Sequence, residues 1–188
     1  MTVRAHKPEF NFREKLKELD YSHIPYEKMP HGSIIQSSIF HIPAEVHFNS
    51  QNFVTGYTHP FKPRCTNSTL VHHFWSKCYL DNTTNNSGQD YRLLGGESNL
   101  DIGSHETIIQ ASWQNYYNRV NYADDYYSPC DFITAHRPQT TNLYNYTFQG
   151  RTYGGTGQTG ASWRIGRVNM SGGPSDNRGC WVIYEVTE

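Results

Sequence analysis

The chain has 188 residues, with 16 Lys or Arg against 17 Asp or Glu, and its formal net charge is −1. A charge this close to neutral argues against nucleic acid as a partner. No apolar run reaches the roughly 18 to 20 residues that a membrane span needs, so no membrane span is predicted. The 14 Tyr, 9 Phe and 4 Trp, with few helical patterns, favour an all-β fold.

Residues 1–30 differ from the rest of the chain in charge density. They hold a third of the charged residues in under a sixth of the length. We therefore place a boundary near His31, between an N-terminal arm (1–30) and a second domain (31–188). The arm is interpreted as a docking segment, and the alternative is a segment packed on its own domain.

A short helix is predicted over residues 11–20 of the arm. Asn11 is a good N-cap, and Glu14 stands where a capping-box carboxylate would stand. Phe12, Leu16 and Leu19 recur at helical spacing and form a narrow apolar stripe. Ten residues are too few for a helix that is stable alone in water. The helix is therefore expected to dock on its own domain, on a sister subunit or on another protein.

Strand patterns follow from residue 33 to the end of the sequence. The predicted strands are 33–42, 53–58, 70–80, 91–94, 108–113, 131–136, 143–149, 163–168 and 179–186, and a loop is predicted from residue 46 to the second of them. Pro60 and Pro63 are expected to break the chain before the strand 70–80. Strands separated by turns, without βαβ units, predict an antiparallel β-sandwich that is jelly-roll-like.

The last predicted strand, 179–186, is the most strand-like segment. Trp181, Ile183 and Glu185 alternate onto one face, and the residues between them onto the other. Its backbone groups need partners, and the strands 70–80 and 163–168 are the candidates. In strand 70–80 neither face is cleanly polar. This favours a strand that is buried on one side and at a subunit contact on the other.

Metal and cofactor motifs are weak. Cys65, His72, His73 and Cys78 invite a zinc interpretation, but adjacent histidines on a strand point to opposite faces. Structural zinc also favours close ligand pairs, which are absent from this sequence. We expect no metal site and no cofactor.

The four cysteines, Cys65, Cys78, Cys130 and Cys180, are far apart in the sequence. The first seven residues are not followed by the hydrophobic core of a secretory signal. We therefore expect free, mostly buried thiols in a reducing compartment; a disulfide pair is the alternative.

The segment 113–127 is the best candidate for contact with another molecule. Its aromatic residues are Trp113, Tyr116, Tyr117, Tyr122, Tyr126 and Tyr127. Tyrosine and asparagine in a loop bind with little loss of rotamer entropy, and flat rings suit sugars. A subunit interface, contact with a host or glycan, and ordinary core packing all remain open. Asp124 and Asp125 are adjacent, unlike the separated carboxylates of glycosidases, so no enzyme activity is expected.

Three short stretches resemble a known family. They are Lys-Pro-Glu-Phe-Asn-Phe-Arg-Glu-Lys-Leu at 7–16, Pro-Tyr-Glu-Lys-Met-Pro at 25–30 and Gly-Ser-Ile-Ile-Gln at 32–36. With a β domain behind them, they resemble small virion structural proteins of marine tailed bacteriophages, of the cyanophage type. The resemblance covers the whole chain in layout and 7–36 in detail, and it supplies no catalytic residues.

The resemblance implies a head or tail appendage, a fibre or a decoration protein that assembles in the host bacterial cytoplasm. It implies a homo-oligomer, most simply a trimer, whose arm binds other capsid or tail proteins of the virion. The residues of the arm expected to anchor it are Phe10, Phe12, Leu16, Leu19, Tyr26 and Met29. The alternative function is a receptor- or glycan-binding module of a tail fibre that attaches to a host surface glycan.

Overall fold

A computed structural model describes residues 29–81, 87–97, 107–117, 126–154, 162–166 and 179–188. The strands are β1 (Ile34–His41), β2 (Val46–Phe48), β3 (Val54–Phe61), β4 (Thr69–Asp81), β5 (Ser87–Glu97), β6 (Thr107–Tyr117), β7 (Tyr126–His136), β8 (Tyr144–Gly154), β9 (Ser162–Ile165) and β10 (Gly179–Val186). The all-β prediction is confirmed, while the predicted helix 11–20 lies outside the described residues. Within these ranges no helix has the length and apolar composition to cross a membrane.

The strands form two antiparallel sheets. Sheet A contains β1, β10, β4 and β7 side by side, and the short strands β9 and β2 continue it beside the second half of β4. Sheet B has the order β3-β8-β5-β6. The strands β1, β10, β4 and β7 of sheet A, facing the four strands of sheet B in these orders, form a jelly roll. The predicted antiparallel sandwich of the jelly-roll kind is therefore confirmed.

Strand β10 lies between β1 and β4. Its residues Gly179–Val186 pair with Thr69–Ser76 on one side, as predicted for strand 70–80. The other predicted partner, 163–168, is wrong, because β1 occupies that side and β9 pairs with the far half of β4. The predicted faces of β10 are confirmed. Trp181, Ile183 and Glu185 are fully buried between the sheets.

Among the predicted strand ends that need correction, two have a clear local reason. The strand predicted over 53–58 does not end before Pro60 but continues through it, as β3, to Phe61. Because β3 is the edge strand of sheet B, a missing N–H on its open side costs no ladder hydrogen bond. The strand predicted over 163–168 ends at Ile165, since Gly166 has a φ of 74° that turns the chain out of the sheet.

The core between the sheets is mostly aromatic. The rings of Phe74, Phe132 and Phe148 are nearly parallel, and the centroid of Phe74 is 5.2 Å from that of Phe132 and 4.6 Å from that of Phe148. Phe48 packs against Trp163 at 4.3 Å. Gly150 faces this second pair, and a Cβ there would lie 2.5 Å from the ring of Trp163. The close approach of the two sheets at this point therefore requires glycine.

Candidate interaction surface

The outward side of sheet A brings apolar residues from four strands into register. Ile39 pairs with Val182, and Val182 pairs with His73. On the far side of β4, His73 pairs with Ile133. We call this side the apolar outer face; its apolar members are Ile34, Ile39, Val71, Trp75, Ile133, Ala135, Cys180, Val182, Tyr184 and Val186.

Three isoleucines of the apolar outer face are open to solvent. The exposed fractions are 59% for Ile34, 58% for Ile39 and 67% for Ile133. Among the polar groups of this face, His73 Nε2 lies 3.3 Å from Asp131 Oδ1. Solvent-exposed apolar side chains that line up across a sheet mark a site of association more often than singly scattered ones do.

The opposite outer surface, on sheet B, is organised differently. Arg151 pairs with the buried carboxylate of Asp90 at 2.9 Å. Arg92 Nε donates to Gln149 Oε1 at 2.8 Å. The guanidinium groups of both arginines lie over the ring of Phe53, at 4.2 and 4.5 Å from its centroid. The charged groups here are held by neighbours in the same sheet, so the two outer surfaces differ in chemistry.

The arm joins the body at the beginning of β1. Pro30 O accepts hydrogen bonds from Ser33 N at 3.1 Å and from Thr187 Oγ1 at 2.8 Å. Met29 lines a cavity of about 230 Å³ together with Cys65 and Thr187. The other predicted anchoring residues, Phe10, Phe12, Leu16, Leu19 and Tyr26, lie outside the described residues.

The sequence interpretation placed the aromatic residues of the segment 113–127 in a loop, but several of them lie in strands. Trp113, Tyr116 and Tyr117 belong to β6, at the edge of sheet B. Tyr126 and Tyr127 begin β7 and pair with β4 in sheet A. Tyr122 lies outside the described residues, as do Asp124 and Asp125. The predicted contact segment thus runs from one sheet to the other, and its role as an interface stays a prediction.

Three histidines lie together inside the sandwich. The ring centroid of His72 is 6.1 Å from that of His136 and 4.4 Å from that of Tyr146. Trp181 Nε1 donates to His72 Nδ1 at 3.3 Å. His136 Nε2 lies 2.9 Å from the hydroxyl of Tyr146. The third histidine, His59, bonds from Nε2 to Ser38 Oγ at 2.9 Å.

Burial keeps these histidines neutral. It lowers the pKa of His59 and of His136 to about 4, and that of His72 to about 3. The neighbouring His136 and His59 lower the pKa of His72 further, because their positive charges would repel its own. Two buried ring nitrogens, His59 Nδ1 and His72 Nε2, have no hydrogen-bond partner among the described residues. Protonation of any of these three histidines is therefore unfavourable in the folded chain.

Metal-ligating side chains do not converge in the described part of the chain, where no group of three or more could hold an ion. His72 faces the interior and His73 the outside, as expected for adjacent residues of a strand. The four cysteines are free. Burial raises the pKa of the Cys78 and Cys130 thiols well above the usual range, so these two are unreactive.

No protein-family model and no curated protein matches the sequence. Among solved structures, the chain is similar to an infectious bursal disease virus structure of the Gt strain, with a TM-score of 0.42 and 14% identity over 81% of this chain. It is also similar to the VP2 subviral particle of that virus, with a TM-score of 0.39 and 11% identity over 82% of this chain. This chain covers 38% of each of those chains.

The sequence predicted only part of the apolar outer face. The mixed character of both sides of strand 70–80 predicted a contact on its outward side. The alignment of Ile39, Val182 and Ile133 with that strand was not predicted, because it depends on the register between strands far apart in the sequence. The outward position of Ile133 could have been predicted from strand alternation. It shares a face with residues 131 and 135, opposite the buried face of the same strand.

Proposed function

We propose that this protein is a non-enzymatic structural protein of a virus particle, in which several copies associate through their β bodies. The observation that carries the proposal is the apolar outer face on a jelly-roll body. Jelly rolls form viral capsid domains as well as lectins and cupins, and a fold alone does not fix a function. An apolar outer face with three solvent-exposed isoleucines suits a body that packs against other proteins.

We further propose that the particle is a tailed bacteriophage and that residues 1–30 anchor the protein to it. The resemblance of residues 7–36 supports a tailed bacteriophage, with the protein as an appendage, fibre or decoration protein and most simply a trimer. Residues 1–30 are proposed to fasten the body to the particle. The high charge density of this segment and its predicted marginal helix support a role outside the body's own core.

Removing residues 1–28 tests the arm. The shortened chain keeps Pro30, whose carbonyl accepts from Ser33 and Thr187, so the body is expected to retain its melting temperature within a few degrees. Incorporation into particles is expected to fall at least about tenfold, because the docking stripe is lost. Quantitative mass spectrometry of purified particles measures it.

A matched variant distinguishes the effect of losing the apolar stripe from the effect of shortening the chain. Changing Phe12, Leu16 and Leu19 together to Ser keeps all residues of the arm and removes the apolar side chains. It should reduce incorporation as much as the deletion does. Normal incorporation of either variant would contradict an anchoring arm.

A second candidate function is recognition of a host surface glycan. Two observations favour it: jelly rolls also form lectins, and the aromatic-rich end of β6 and beginning of β7 are separated by only eight residues in the sequence. If it is right, Tyr116→Ala with Tyr117→Ala and Tyr122→Ala should lower adsorption to host cells about tenfold or more. Light scattering should show an unchanged oligomer. Leu143→Ala, at an exposed position between β7 and β8, serves as the control.

A further inference from the structure

The apolar outer face has the dimensions of a helix-docking site. Neighbouring strands lie about 4.8 Å apart, so the row from Ile39 to Ile133 spans roughly 14 Å across four strands. The two middle residues of this row are Val182, which is 8% exposed, and His73, which lies beside Asp131, and both ends are isoleucines that are more than half exposed. The surface therefore offers a short apolar strip that runs across the strands.

The predicted helix of the arm carries a stripe of matching length. From Phe12 to Leu19 a helix rises about 10 Å, which fits within the strip. Helix formation in a segment this short requires an apolar surface to pack on. The body presents one on every copy of the chain.

The arm is attached where it can reach beyond its own body. It joins sheet A at Pro30, whose carbonyl is bonded to Ser33 and Thr187 beside the first residue of β1. The residues between the predicted helix and this point, 21–28, span up to roughly 27 Å when extended. Pro25 and Pro30 favour such an extended path. A linker of this length lets the helix meet a neighbouring copy.

We propose that the stripe Phe12, Leu16 and Leu19 of one copy binds across the apolar outer face of a second copy. This inference rests on the proposed function and names the partner of the arm as another copy of this chain. Each copy then supplies one stripe and one face, so the contact is heterologous. Contacts of that type close into a ring or continue as an open array.

A native cysteine makes the contact testable in the full-length chain. Cys180 lies on the apolar outer face, two residues along β10 from Val182. The donor chain carries Leu16→Cys, with Cys65→Ser and Cys180→Ser. The acceptor chain carries Cys65→Ser, keeps Cys180 and bears a size tag. Cys78 and Cys130 are buried and stay unreactive in both chains.

Mixing the two populations under mild oxidation by oxidised glutathione is expected to give a donor–acceptor disulfide in at least about half of the chains. An acceptor with Cys180→Ser should give at least about tenfold less. Two results would overturn the proposal: acceptor–acceptor dimers through Cys180, or no donor–acceptor cross-link above the control.

A second measurement does not depend on cysteine chemistry. Ile133→Lys places a charge on the face at a position that is 67% exposed and outside the core. Light scattering should show a lower mass for this variant, whereas Val54→Lys, at a 41% exposed position of sheet B, should keep the mass of the unchanged protein. Equal masses for both variants would contradict the inference. If the deletion of residues 1–28 still prevents incorporation while no cross-link forms, the anchoring function stands and this partner is wrong.

Discussion

Replacing Glu185 with alanine is expected to lower the free energy of unfolding by about 4 kcal/mol. The side chain is fully buried on the inward side of β10. Its carboxylate accepts from the backbone N–H groups of Arg64 and Cys65, each at 2.9 Å. Ser68 Oγ and Gln36 Nε2 each donate to it at 2.6 Å. Without the carboxylate these four donors lose a charged acceptor at once.

The hydrogen bonds of Glu185 also hold the loop before β4, which lies next to the last residues of the predicted arm. Cys65 and Ser68 line the cavity that also contains Met29. Loss of the carboxylate should therefore loosen the place where the arm joins the body, as well as destabilise the sheet. Faster hydrogen exchange at the amides of residues 64, 65 and 33 would report this loosening.

Urea unfolding measures the loss of stability, and Glu188→Ala is the matched control. Glu188 is three residues further along and bonds to Thr69 Oγ1 and Arg137, but its side chain is 27% exposed. Its removal should cost less than about 1 kcal/mol. A cost below about 1 kcal/mol for Glu185→Ala as well would show that the buried carboxylate does not hold the loop.

Acidification below pH 6 is expected to unfold the body steeply. His59, His72 and His136 are neutral in the folded chain, because burial holds their pKa values at about 4, 3 and 4, against 6.5 in the unfolded chain. Between these values the unfolded chain binds more protons, so stability falls as the pH falls. Each histidine contributes at most about 1.4 kcal/mol per pH unit, so the three together contribute up to about 4 kcal/mol per pH unit.

The two tyrosines beside the cluster do not offset this effect. Tyr146, which contacts both His72 and His136, stays protonated, since burial raises its pKa well above the usual range. Tyr144 lies beside His136, and burial together with the charge of Glu97 raises its pKa too. Neutral phenols supply no negative charge to stabilise an imidazolium.

Urea unfolding at pH 7, 6 and 5 tests the acid response. His72→Gln retains an oxygen that can accept from Trp181 and should remove about one third of the pH dependence. His73→Gln, on the adjacent residue with its side chain on the outer face, should change the dependence much less. An unchanged slope in His72→Gln would exclude the interior cluster as the cause.

Local alternation of residues predicted most of the strands. The bounds of β10 match the predicted 179–186, because Gly179 begins the strand and β-branched or aromatic residues fill it. The short strand β2 was missed, since residues 46–48 were predicted to lie in a loop and three residues are too few to show alternation. The prediction ended β6 at Trp113 and began β7 at residue 131. The structure extends them to Tyr117 and back to Tyr126. These extensions contain Tyr116, Tyr117, Tyr126 and Tyr127. Tyrosine favours strands, and here its strand propensity outweighs the loop preference of the neighbouring asparagine.

Long-range register limited the prediction of the site. Nothing local places His59, His72 and His136 together, since they lie on three strands that belong to both sheets. The outward position of Ile39 likewise depends on its pairing with Val182, more than a hundred residues away. Cross-strand neighbours of this separation are set by the tertiary fold, whereas strand existence is set by the local pattern.

The place of β10 has a consequence for synthesis of the protein. It fits between β1 and β4, yet the ribosome makes it after all the other described strands. Until it emerges, both neighbours present unpaired backbone groups that attract strands from other nascent chains. Premature termination before residue 179 should therefore yield polypeptide that aggregates, and slow translation near the end would lengthen the time during which chaperones must protect those two edges.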